Sequence, residues 1–84
     1  MTIKAARTRE GRHAQFIELT ATLGLIDIEA SALLGFTRSV WSMYRHQRSP
    51  VPKYAVMSLA SAVALKAAAP RVFNQWLNAF REKS

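Results

Sequence analysis

Apolar positions along this chain recur three and four residues apart, the period of a helix packed on one face. Phe16, Leu19, Thr20 and Leu23 stand at i, i+3, i+4 and i+7, with Thr8 upstream as an N-cap, Glu10 near the positive end and Gly24 as a left-handed stop. Asp27 then offers an N-cap to a second, short helix, "IEASALL", whose Ala30, Leu33 and Leu34 share a face. Gly35 ends it, because a residue without Cβ takes positive φ at little cost, and Phe36 can fold back on the last turn. Thr37 caps a third helix, "RSVWSMYRHQ".

Pro50 stops that third helix and Pro52 suits the first turn of a fourth, running to about Ala68. Val56, Leu59, Ala60 and Val63 give the fourth helix one apolar face, while Met57, Ala64 and Leu65 occupy much of the rest, so it is expected to be covered on more than one side. After Pro70 a fifth helix carries Phe73, Trp76, Leu77 and Phe80 at i, i+3, i+4 and i+7. Leu65 and this aromatic stripe are the expected dimer interface. Strand-like alternation is hard to find. The expectation is an all-α fold of about five helices: a flexible basic arm over residues 1–9, then one domain over 10–84, with C-terminal dimerisation helices over about 52–82.

Charge sharpens the picture. Twelve Lys and Arg against five Asp and Glu leave a net charge of +7 on 84 residues, a field that attracts polyanions. No acid lies between Glu29 and Glu82, whereas Arg38, Arg45, Arg48, Lys53, Lys66, Arg71 and Arg81 all do; Lys4, Arg7, Arg9 and Arg12 form a second basic group. Cysteine is absent, which removes disulfides and thiolate metal sites and suits the cytoplasm. The start, "MTIKAARTREGRHAQ", lacks the apolar segment of a signal peptide. The most apolar run, "YAVMSLASAVAL", is about a dozen residues long where a spanning helix needs roughly 20. Catalysis is not expected: His13 and His46 form no i, i+4 metal pair, and Gly11, Gly24 and Gly35 are isolated rather than a phosphate loop. Neither a cofactor nor a metal is expected.

Two short helices joined by so tight a turn must cross steeply, as in a helix-turn-helix unit over about residues 27–48. Val40, Trp41 and Tyr44 lie on the inward side of the third helix, leaving Arg38, Ser39, Ser42, Arg45 and His46 outward as candidates for base edges in a DNA major groove. Thr37, Arg48, Lys53 and the Tyr54 hydroxyl are candidates for phosphates at its ends.

The run "ALLGFTRSVWSMYRHQRSPVPKYA", with its glycine turn followed by Trp41, Tyr44, Arg48, Val51 and Pro52, resembles Cro/repressor-type (XRE-like) helix-turn-helix regulators. More narrowly it is similar to small anti-CRISPR-associated repressors and related phage or plasmid autoregulators. The resemblance covers about residues 27–60. It implies a bundle of about five helices, a homodimer on an inverted-repeat operator in double-stranded DNA, and repression, usually of the protein's own operon. It maps Gly35 to the turn, Trp41 and Tyr44 to the buried side, Arg38, Ser39 and Ser42 to base reading, and Arg48 to the arginine after the recognition helix. Where relatives often carry Glu and, two residues on, Gly, this chain has Arg45 and Gln47, so a longer helix and a DNA contact by Arg45 are expected.

Two other functions fit the same charge. RNA binding is one, although the aromatics here fall on the buried helical face rather than on a stacking platform. A protein-interaction module drawn to an acidic partner is the other.

Overall fold

The computed structural model describes residues 4–83 and, among them, contains five helices and no strand: α1 (Arg9–Leu23), α2 (Asp27–Leu33), α3 (Arg38–Arg45), α4 (Lys53–Ala68) and α5 (Pro70–Lys83). The all-α expectation holds. None of the helices is long and apolar enough to cross a membrane.

α4 is the axis of the fold. It lies between α1 and α5 and contributes Ala55, Val56, Leu59, Ala60 and Ala62 to the core, so both of its sides are covered. α1 brings Phe16, Leu19, Thr20 and Leu23 against it, the four positions its periodicity marks. The one polar member, Thr20, donates its hydroxyl to the Phe16 carbonyl at 2.6 Å, which removes the cost of burying it.

The aromatic centre comes from α3 and the turn before it. Trp41 and Tyr44 are both buried, and the Phe16 ring lies 4.8 Å from Trp41 and 5.9 Å from Tyr44 between centroids. Phe36 packs on the same two rings, at 5.9 and 6.1 Å. Tilted and edge-on contacts of this kind add about 0.5–1.5 kcal/mol per pair beyond their buried area.

Helix ends decide how these elements meet. The Thr8 hydroxyl accepts from Gly11 N at 3.0 Å and the Thr37 hydroxyl from Val40 N at 3.2 Å, as expected. α2 closes with a left-handed Gly35 (φ 83°), with Gly35 N donating to Ala32 O and Phe36 N to Ser31 O at 3.2 and 2.8 Å. This paired closure is the Schellman arrangement, and it carries Phe36 back onto the core. α3 closes the same way with Gln47 (φ 58°) in the left-handed position, Gln47 N bonding Tyr44 O and Arg48 N bonding Met43 O. Lys66 donates to Thr22 O and Leu23 O, capping the end of α1 from α4.

Several expectations need correction. Asp27 is the first residue of α2 rather than its cap; the capping position is Ile26, which has no side-chain acceptor. α3 ends at Arg45 and is not extended, because Gln47 takes the turn that glycine often makes. Pro52 is the capping residue of α4, not part of its first turn. Phe73 and Leu77 are 3% and 6% exposed, buried in the protein's own core by α4, so they cannot form a dimer interface.

The flexible arm expected over residues 1–9 is also corrected where it is described. Residues 1–3 lie outside the described residues, but 4–8 are tied to α1: Gln15 bonds Ala6 N and Lys4 O, and Arg12 donates to Ala6 O and Arg7 O. Arg12 Nε also reaches Val51 O at 2.8 Å, linking this segment to the loop after α3.

Candidate nucleic-acid interface

The outward side of α3 is built by its inward side. Successive residues of an α-helix are about 100° apart, so burying Trp41 and Tyr44 leaves Arg38, Ser39, Ser42, Met43 and His46 on the opposite arc, and all five are exposed. Four of them are proposed base readers from the sequence; Met43 is an addition. Thr37, Arg48 and Lys53 are exposed as well. Lys53 precedes Tyr54, whose ring stacks on Phe36 at 6.0 Å with planes only 9° apart, just ahead of the start of α3.

Arg45 does not join this arc. Its guanidinium turns toward α2 and pairs with Asp27 Oδ1, its side chain 31% exposed and its Nε buried without an acceptor. The same Asp27 oxygen accepts the Trp41 indole N–H at 3.1 Å. One carboxylate thus holds the inner and lateral sides of α3 to the first turn of α2. The expected base contact by Arg45 is therefore replaced by an internal one, satisfied at short range by an acid eighteen residues away.

Tyr54, the remaining phosphate candidate, is 63% exposed. Burial, then hydrogen bonding to and the charge of Tyr54, push the Tyr44 hydroxyl up to about 12 from an ordinary 10.0.

The end of α3 is fastened to α1. His13 Nε2 lies 3.0 Å from Arg45 O and His13 Nδ1 lies 2.9 Å from Gln47 Nε2. A carbonyl can only accept and an amide nitrogen only donate, so an imidazole with its proton on Nε2 satisfies both. Arg9, Glu10 and His13 line a small cleft here with Gln47, Ser49, Pro50 and Val51.

The remaining candidates lie on α4 and α5. Leu65 is half-buried against the core. Trp76 is 37% exposed and, with Leu33, Ala79 and the half-buried Phe80, lines a shallow groove between α2 and α5. Arg81 closes the same side of the molecule, donating from Nε and a terminal nitrogen to the two oxygens of Glu29 at 2.7 and 2.9 Å. That bond, opposed by desolvation and aided by the arginine's charge, holds the Glu29 carboxyl below its usual range.

Comparison with protein-family models, curated proteins and solved structures finds no match to this chain.

Proposed function

We propose that the protein is a sequence-specific DNA-binding regulator, acting as a homodimer on an inverted-repeat operator. The observation that carries this reading is the acid-free outward arc of α3. Arg38 supplies a long bidentate donor suited to guanine, Ser39 and Ser42 are small enough to let the helix backbone approach a groove floor, and His46 extends the donors along the helix. Arg48, Lys53 and Thr37 would meet phosphates on either side.

The α2–turn–α3 unit would act as a helix-turn-helix, with α3 in the major groove. A second copy would seat on Trp76 and Phe80, joined by Leu33 and Ala79, rather than on the buried Phe73 and Leu77. Two subunits would then present their α3 helices about one DNA turn apart, roughly 34–36 Å. Occupying a promoter would block polymerase sterically, and the step requires no cofactor. This function is also what the Cro/repressor resemblance implies.

The test is selection of bound duplexes from a random library, followed by titration of the enriched site against nonspecific competitor with the wild type and with Arg38→Ala. The reading expects an enriched inverted repeat and a loss of about 1–3 kcal/mol for Arg38→Ala on that site, with little change on random DNA. Failure to enrich any site, with all binding removed by competitor, would reject it.

A further inference from the structure

We infer that Met43 is a specificity-determining residue that contacts the C5-methyl group of a thymine in each half-site. The inference rests on the DNA-binding reading above and adds a base to it.

Among the described residues, Ile26, Ile28, Tyr54, Met57, Val72 and Trp76 are large apolar side chains left partly in water on other elements; Met43, 41% exposed, is the one on the outward arc of α3. Its neighbours on that arc are Ser39 four residues before it, Ser42 beside it and His46 three residues after. Both serines are short. Met43 is therefore longer than the two serines beside it and is flanked by groups that donate and accept hydrogen bonds rather than by other apolar side chains.

The backbone beneath it is fixed. Met43 O accepts from Arg48 N at 2.9 Å and from Ser49 N at 3.3 Å, which ties this turn of α3 to the segment that follows. An unbranched, polarisable thioether on a fixed Cα can adapt its end to a small apolar target. In the major groove the distinctive apolar feature is the thymine methyl, which no other standard base carries. Arg38, Ser39, Ser42 and His46 can read hydrogen-bonding edges, but Met43 has no comparable use for them.

The experiment uses the full chain and the operator obtained by selection. Each thymine under α3 is replaced, in both half-sites, by deoxyuridine, which keeps the pairing edge and removes only the methyl. Binding is measured for the wild type, Met43→Ala and Met43→Leu. Burying one methyl-sized group is worth roughly 0.8 kcal/mol, about fourfold in affinity per half-site. The expected result is one thymine position at which deoxyuridine in both half-sites weakens wild-type binding by about fourfold per half-site, about 15-fold in all, with Met43→Leu retaining the sensitivity and Met43→Ala losing it.

Because Met43 is exposed, Met43→Ala should keep the wild-type thermal midpoint, which is measured alongside. An enriched site with no thymine under α3, or one indifferent to deoxyuridine at every position, overturns this inference and leaves the DNA reading intact. Equal deoxyuridine sensitivity in wild type and Met43→Ala overturns it too, by assigning the methyl to another side chain. If no site is enriched at all, the DNA reading fails and the inference fails with it.

Discussion

Replacing Asp27 with Ala should cost far more than loss of a surface carboxylate. The substitution removes the acceptor of the Trp41 indole N–H on a side chain that is 2% exposed, leaving a buried donor unpaired at about 1–3 kcal/mol. The Arg45 pair contributes less, because the two side chains are 31% and 43% exposed and water screens them; a figure of about 0.2–1 kcal/mol is appropriate. A negative charge in the first turn of α2 adds about 0.3–1 kcal/mol. Together these give about 1.5–5 kcal/mol, a large share of the stability of a domain this size. Asp27→Asn separates the contributions. Its amide oxygen can still accept from Trp41, so only the charge is lost, and the cost should be about 1 kcal/mol. Urea unfolding followed by tryptophan fluorescence and far-ultraviolet circular dichroism measures both. An Asp27→Ala protein within about 0.5 kcal/mol of wild type, or an Asn variant as damaged as the Ala one, would refute the assignment of the shared carboxylate.

Two further outcomes are expected. At Gln47 (φ 58°), glycine should give a more stable protein than alanine by about 1 kcal/mol, since both lose the bond to His13 but only glycine relieves the left-handed backbone; the order of the two thermal midpoints checks this. Tyr44 predicts an alkaline weakness: with the hydroxyl pushed up to about 12 in the folded protein against about 10 unfolded, both states keep the proton below pH 10. Between about pH 10 and 12 only the unfolded state releases it, so stability falls across that window, and falls more steeply than in Tyr44→Phe. Equal slopes in denaturant midpoints against pH would remove the effect.

Periodicity made the core of α1 and the two sides of α3 legible, since Phe16, Leu19 and Leu23, and Trp41 and Tyr44, follow from helical spacing alone. Glycine and threonine likewise marked where α1, α2 and α3 begin or end. The stripe on α5 was legible as apolar but not as to what covers it. Phe73, Trp76, Leu77 and Phe80 have one spacing, yet Phe73 and Leu77 face α4 while Trp76 stays partly in water. Nothing local in the stripe tells a partner subunit from the protein's own fourth helix. The Asp27 to Arg45 pair was hidden for another reason. It joins residues on different helices whose relative placement is set by the turn between them, and helical spacing cannot carry that information. Gln47 was read as helix because its residue type gives no warning of a positive φ.

Net charge misleads about this protein, and position corrects it. Arg12 spends its donors on three carbonyls, Lys66 on the end of α1, and Arg45 and Arg81 on the carboxylates of Asp27 and Glu29. These cations stabilise the fold, and each lies against an acceptor that any acidic partner would have to displace. Arg38, Arg48 and Lys53 are exposed, and they bracket or occupy α3, whose outward arc holds no acid. A partner attracted merely by a charge of +7 would have no preference between the two sets. One that requires a narrow convex element with donors and a single apolar side chain between two phosphate-binding flanks would have a preference, and a DNA major groove meets that requirement. The same acid that turns Arg45 away from the outward arc also fixes the helix that presents Arg38, so under the proposed DNA-binding role the loss of one expected contact is the means by which the other candidates are held in place.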